Sequence, residues 1–192
     1  MNKFQITEQQ LAEAVNSRSS KTMYQYLSKA HVGIAGLGGL GSNVAAALAR
    51  CGVGSLTLAD FDTVELSNIN RQLYTLAHIG MPKTQALKEL LLQINPYCKI
   101  YTEQIKITEE NCCDIFKNCP IICEAFDIPE SKAALVNTIL SRQPDKRIVA
   151  GSGMAGWGRA NEIRTQRLSD RFYICGDGHT DVADGESLTA AR

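Results

Sequence analysis

The chain has 192 residues, with 20 Lys plus Arg against 20 Asp plus Glu and a formal net charge of +0. That length fits one α/β domain, which buries roughly 70% of the surface its unfolded form exposes and needs no disulfide or metal staple. Balanced charge leaves no global footprint for nucleic acid or an anionic membrane, so a charged ligand has to be met by a local cluster.

The first residues, Met1-Asn2-Lys3-Phe4-Gln5, lack the apolar stretch of a secretion signal, and the apolar runs fall far short of a membrane span. A cytoplasmic protein with no membrane or nucleic-acid partner is expected. Cysteines at 51, 98, 112, 113, 119, 123 and 175 form an odd set without a C-x-x-C pair. This argues against a disulfide framework and against the usual zinc clip, and most of them read as small reduced residues in or near the core.

In chain order, Thr7-x-x-Gln10 is a capping box, and Leu11, Ala14 and Val15 continue at helical spacing. The polar stretch Asn16–Lys21 then links this helix to the body, so residues 1–30 form an N-terminal helical segment and linker and 31–192 the main domain. Val32–Ala35 is a short apolar strand, Gly36–Gly41 a turn and Val44–Ala49 a buried helix; Leu56–Ala59 supplies the next strand of a βαβ unit. Residues 61–82 form a long polar connection, which a compact domain keeps for a functional reason.

Leu87, Leu90, Leu91 and Ile94 mark an amphipathic helix that stops before Pro96, and Tyr97–Ile105 reads as a strand. Thr108 with Glu109 and Glu110 predicts a helix N-terminus ahead of Cys112, Ile115 and Phe116. A strand at Ile121–Ala125, a helix opened by Pro129 with Leu135, Val136, Ile139 and Leu140 inward, and a strand at Arg147–Ala150 follow. This alternation predicts a Rossmann-like, doubly wound, mostly parallel sheet covered on both faces. Beyond the glycine-rich Gly151–Gly158, the segments Asn161–Leu168 and Arg171–Cys175 are expected to add antiparallel strands at the C-terminal end, and Gly185–Arg192 resembles the start of a further helix.

Gly36-Leu37-Gly38-Gly39-Leu40-Gly41 matches G-x-G-x-x-G between a strand and a helix. Gly36, Gly38, Gly39 and Gly41 let the backbone turn sharply and approach a phosphate whose charge meets the helix N-terminus. Asp60 ends the second strand about 20 residues on, where a carboxylate accepts hydrogen bonds from ribose hydroxyls. These two features fit NAD as well as ATP.

The stretch Asp60-Phe61-Asp62-Thr63-Val64-Glu65-Leu66-Ser67-Asn68-Ile69-Asn70-Arg71-Gln72, with Lys83 after Met81-Pro82, separates the two. This D-x-D-x-V-x-x-S-N-x-x-R-Q run and the downstream P-K resemble those of ThiF, MoeB and the adenylation domains of ubiquitin-activating enzymes, over roughly Val32 to Trp157. ATP carries charge that must be neutralised as pyrophosphate leaves, and Arg71 and Lys83 suit that need. Asn68 can bond a phosphate or ribose without adding charge; Gln72 either does the same or braces Arg71. Asp62 either contacts ligand or bonds its own backbone.

The resemblance implies that Asp127, beyond the fourth strand, holds Mg²⁺ directly or through water; the plain alternative is a cap on the following helix. It further implies an ATP-dependent adenylyltransferase, probed through Arg71, Lys83 and Asp127 as catalytic residues. Its partner would be the Gly-Gly terminus of a ubiquitin-like sulfur-carrier protein, admitted by Gly151–Gly158 with Trp157 as wall or core, and its assembly a homodimer. Thiamine biosynthesis is favoured over molybdopterin.

The family's two zinc-binding C-x-x-C pairs are missing, so no structural zinc is expected. Cys175, with His179 four residues on, reads either as a reactive thiol or as a buried strand cysteine, and Arg18 is the candidate for an arginine reaching the partner subunit's site. Rival readings are an NAD-dependent oxidoreductase, a non-catalytic adaptor, and a relative that activates a carboxylate on transfer RNA.

Overall fold

Each short apolar segment alternates its side chains between two faces, and each is followed by a helix that covers one of those faces. A computed structural model describes residues 6–17, 21–152 and 160–178. The elements are α1 (Glu8–Asn16), α2 (Lys21–Leu27), β1 (His31–Ala35), α3 (Gly39–Arg50), β2 (Ser55–Ala59), α4 (Lys83–Ile94), β3 (Lys99–Glu103), α5 (Cys112–Ile115), β4 (Ile121–Glu124), α6 (Pro129–Arg142), β5 (Arg147–Gly151), β6 (Arg164–Arg167) and β7 (Phe172–Gly176).

The strands form one sheet in the order β3-β2-β1-β4-β5-β7-β6. From β1 the chain first winds outward through β2 and β3, then returns to place β4 on the other side of β1. The order therefore reverses between β1 and β4, where open α/β sheets leave a crevice at the strands' carboxyl ends. β7 runs parallel to β5, and β6 is antiparallel to β7. The expected antiparallel relation is thus the one between the two last strands, while β7 continues the parallel sheet.

Val32 and Ile34 of β1 and Leu56 and Leu58 of β2 face α3 and α4, against Ala45, Ala49, Leu87 and Leu91. Ala35, Ile122 and Ile148 face the other way, onto Phe116, Leu135 and Ile139 of the α5–α6 layer. Both faces of the central strands are buried, as their near-continuous apolar sequences require. No helix among the described residues is long and apolar enough to cross a membrane.

Three local expectations shift. α2 occupies the stretch between the leading helix and β1, where periodicity gave no signal because Met23 and Tyr26 are 53% and 73% exposed. Its hold is tertiary: Gly54 N–H donates to Leu27 O at 3.0 Å, and a Cβ on Gly52 would lie 2.7 Å from the Tyr24 ring. α5 begins at Cys112, and residues 108–111 lead into it as a turn with the bonds of a cap at Thr108: Asn111 Oδ1 accepts the Thr108 N–H at 2.8 Å and Thr108 O the Cys112 N–H at 3.0 Å. β3 is trimmed to Lys99–Glu103. Arg18, most of Gly151–Gly158 with Trp157, His179 and Gly185–Arg192 lie outside the described residues.

Phe116 is fully buried at the end of α5. Phe116→Ala is expected to lower the unfolding free energy by about 3–5 kcal/mol, read as a drop in urea midpoint.

Candidate functional site

β1 delivers the chain to Gly36, whose φ of +88° makes the sharp exit that a side chain would strain. A Cβ on Gly41 would collide with the Gly36 carbonyl oxygen, so the turn closes on itself only with glycine there. α3 then starts from an N-cap, Gly38, that makes no side-chain cap bond. Its first amides are left for an anion, which a helix N-terminus favours.

Asp60 ends β2 and is buried. Its Oδ2 accepts the Leu37 N–H at 2.7 Å and its Oδ1 the Asp62 N–H at 2.8 Å. The carboxylate therefore joins the glycine turn to the connection after β2. Tyr74 makes a second joint: its hydroxyl donates to Leu37 O at 2.9 Å. Burial, with Asp60 and Asp62 adding to it, holds that phenol far above the ordinary tyrosine range, so it stays a donor.

Ser42 and Asn43 complete the attachment. Leu73 N–H donates to Ser42 Oγ at 3.2 Å, and Asn43 Nδ2 donates to Arg71 O at 3.1 Å. Arg71 consequently lies along the turn, where a Cβ on Gly39 would be 3.5 Å from its Cγ. Its guanidinium donates at 2.9 Å to Ser67 O and to Asn70 Oδ1, both neutral, so its charge is available to an anion. Gln72 is buried beside Gly38, and its Oε1 is without a hydrogen-bond partner among the described residues.

The far end of the connection is tied back near its start. Val64 N–H donates to Met81 O and Gly80 N–H to Val64 O, each at 2.8 Å. This brings Lys83, 6% exposed at the start of α4, onto Asp62, with Nζ 2.8 Å from Oδ2. Asp62 thus pairs with a cation, and the sequence alternatives of ligand contact or backbone bonding did not include this. Asn68 is turned into its own 3-10 turn, accepting the Glu65 N–H at 3.0 Å.

On the opposite flank of β1, Asp127 follows β4. It is exposed and makes no side-chain hydrogen bond among the described residues. The N-cap of α6 is Ile128, so Asp127 is not the cap that its position before Pro129 suggested. Glu124, three residues earlier, is buried; burial raises its carboxyl above the ordinary glutamate range, against the opposing pull of Lys132 and of the Phe126 N–H.

Among the described residues no group of three or more His, Cys, Asp or Glu is placed to hold a metal. Cys175 is half-buried on β7, with Sγ 3.3 Å from Thr165 Oγ1. A cavity of ≈ 330 Å³ opens between residues 107–110 and the first turns of α6. Glu109, Glu110 and Glu130 line it, and three carboxylates repel phosphate, so it does not compete with the glycine turn as an anion site.

The structure therefore gathers Gly36–Gly41, Asp60, Asp62, Arg71, Gln72 and Lys83 into one bonded cluster, with Asp127 on the other flank. Sequence reasoning missed Ser42, Asn43, Tyr74 and Glu124. The first three sit one, two and three residues beyond Gly41 or Arg71, and only the folded contact reveals their role.

The ThiF family model matches residues 9–180. The chain belongs to the ThiF family. It is 45% identical over 103 residues to the molybdopterin-synthase adenylyltransferase of Haemophilus influenzae, covering 53% of this chain and 42% of that protein. It is 35% identical over 134 residues to the adenylyltransferase and sulfurtransferase UBA4 of Eremothecium gossypii, covering 69% of this chain and 30% of the relative. It is also 36% identical over 114 residues to the tRNA threonylcarbamoyladenosine dehydratase of Escherichia coli, covering 58% and 42%.

The aligned stretch thus spans less than half the length of each of these relatives. The crystal structure of the E. coli dehydratase, TcdA, in complex with ATP superposes with a TM-score of 0.84 at 24% identity, over 96% of this chain and 90% of that one. That likeness establishes the fold of this ThiF-family chain.

Asp60 accepts two backbone N–H groups, whereas asparagine in its place offers one acceptor and turns a donor toward the other amide. Asp60→Asn is expected to cost about 1–3 kcal/mol of unfolding free energy. The check is a lower urea midpoint at unchanged slope.

Proposed function

We propose that this ThiF-family domain is an ATP-dependent adenylyltransferase that activates a carboxylate. The observation that carries the reading is the placement of Arg71 along the glycine turn and of Lys83 in the bonded network that starts from it. Two cations, an uncapped helix start and an available carboxylate at a sheet switch point suit a triphosphate better than a dinucleotide.

The turn and the first amides of α3 would seat the phosphates, and Asp60 would meet the ribose. Gln72, whose buried Oε1 has no partner among the described residues, would gain one from the nucleotide. Asp127 would hold Mg²⁺. The fit is sound, because Mg²⁺ is usually bound by one or two carboxylates together with substrate phosphates, and the Asp127 carboxylate makes no other bond among the described residues. When bound, the ion supplies positive charge against the phosphates.

The substrate carboxylate needs no general base, being already ionised at neutral pH. Its oxygen attacks the α-phosphorus, the bond to pyrophosphate breaks, and an acyl-adenylate and pyrophosphate result. Arg71 and Lys83 stabilise the charge that develops on the leaving group, so catalysis is chiefly positioning and electrostatic. Lys83 would exchange part of its bond with Asp62 for one to phosphate.

For the substrate we favour the Gly-Gly terminus of a ubiquitin-like sulfur carrier, in thiamine biosynthesis, acted on by a homodimer in a reducing, cytoplasmic setting. The adenylyltransferase relatives support the reaction class. A second reading is activation of a transfer-RNA carboxylate, favoured by the match to a tRNA-modifying dehydratase. Mass spectrometry of a candidate Gly-Gly carrier incubated with the protein and ATP decides between them: an adenylate mass supports the first, and its absence alongside ATP consumption with transfer RNA supports the second.

Arg71→Ala and Lys83→Ala are each expected to abolish carrier-dependent ATP–pyrophosphate exchange; exchange at the wild-type rate overturns the assignment. In thermal-shift titrations ATP with Mg²⁺ is expected to raise the melting temperature and NAD to leave it unchanged. A shift with NAD alone would favour the oxidoreductase instead.

A further inference from the structure

Glu124 is the last residue of β4 and is 1% exposed. Its register partners are Ala35 of β1 and Ala150 of β5, so its carboxyl group sits at the switch point of the sheet, in the layer under α6. An acidic group buried there needs partners, because an ion taken out of water without them is strongly disfavoured. It has two. Oε1 accepts the Phe126 N–H at 2.7 Å, and Oε2 pairs with Lys132 of α6.

These two bonds brace the corner formed by residues 125–128, and the corner presses on the glycine turn. Ala125 N–H donates to Ala35 O at 2.9 Å. A Cβ on Gly36 would lie 3.0 Å from both the Ala125 carbonyl oxygen and a Phe126 ring carbon, and one on Gly41 would lie 3.3 Å from Ala125 Cβ. Asp127 is the residue that follows Phe126, and no bond of its own side chain holds it among the described residues. Its location is therefore inherited from a corner that Glu124 and Lys132 fix.

Stability alone is a poor reason for such a pair. A well-packed apolar residue at a buried ion-pair position is often neutral or better for folding, because desolvation offsets the attraction between the charges. Fixing a metal-binding carboxylate against a glycine turn is a task an apolar residue cannot do.

We propose that Glu124, through Phe126 and Lys132, is a positioning residue that aims Asp127 at the phosphates lying over the glycine turn. The inference rests on the ATP·Mg²⁺ reading above and adds to it a residue that contacts neither nucleotide nor metal. Asp60 braces the same turn from the β2 side, so the two carboxylates flank it.

The test uses Glu124→Gln with ATP as the probe. Three quantities are measured: ATP affinity by calorimetry with and without Mg²⁺, amide hydrogen exchange over residues 124–130 in the ligand-free protein, and the melting temperature. The gain in ATP affinity that Mg²⁺ brings is expected to fall by about tenfold or more, the scale seen when partners of metal ligands are removed. Metal-free ATP affinity stays at the wild-type value, residues 125–128 exchange faster before any ligand is added, and the melting temperature falls by roughly 3–10 °C, as loss of a buried charged acceptor requires.

An equal loss of affinity with and without Mg²⁺, or a Mg²⁺ gain equal to that of the wild type, overturns the proposal. A wild-type protein that gains no ATP affinity from Mg²⁺ overturns the underlying reading and this inference with it. Should Glu124→Gln fail to fold, Lys132→Gln, on a partly exposed helix face, carries the same expectations and the same refutations.

Discussion

The site depends on one carboxylate accepting two backbone amides. Asp60 bonds Leu37 inside the glycine turn and Asp62 at the start of the long connection, and this makes a single rigid unit of segments separated by more than a helix in sequence. Backbone amides are obligatory donors, and a buried turn that left them unmet would lose more free energy than an average hydrogen bond gains. Tyr74, Ser42 and Asn43 then reinforce a junction already set by that acceptor. The placement of Arg71 follows from these bonds, because its carbonyl and its neighbours are what the glycine turn and α3 hold.

The charges are arranged with little net excess. Lys83 rests on Asp62, Lys132 on Glu124, and Arg71 on neutral oxygens. A molecule of zero formal charge can present a cationic locus only where a cation lacks a carboxylate partner, and Arg71 meets that condition at the turn. Of the carboxylates around the turn, Asp60, Asp62 and Glu124 are committed to protein donors, and Asp127 is not. Among the described residues around the turn, Arg71 and Asp127 are the charges without an oppositely charged partner, on opposite flanks of β1, and they suit an anion arriving with a divalent cation.

Much of this was legible in the residues. The strand and helix order follows from apolar periodicity, and the glycine turn from its spacing beside a strand and a helix. The D-x-D, R-Q and P-K residues, singled out by their family resemblance, lie together beside the glycine turn. What was hidden depends on contacts between distant segments. α2 carries no apolar stripe and is held by Gly52 and Gly54 in another connection. Glu124 reads in sequence as an ordinary polar interruption of a strand, and its partner Lys132 appears only once α6 is folded back over the sheet. Relatives that share these residues carry different names, an adenylyltransferase and a tRNA dehydratase among them, which is why family membership and substrate identity separate here.

The described sheet ends at β6, whose four residues are all exposed and include Arg164 and Arg167. A flat, apolar rim with open N–H and C=O groups invites unrelated strands to add on, and bulky like-charged side chains discourage a copy of the same rim from docking. For a protein whose isoelectric point is ≈ 6.8, colloidal repulsion over the whole surface is weak near neutrality. Arg167 shares its charge with Asp170 and lies over the Tyr173 ring, so among the described residues of this margin Arg164 is the charge that discourages fibrous stacking.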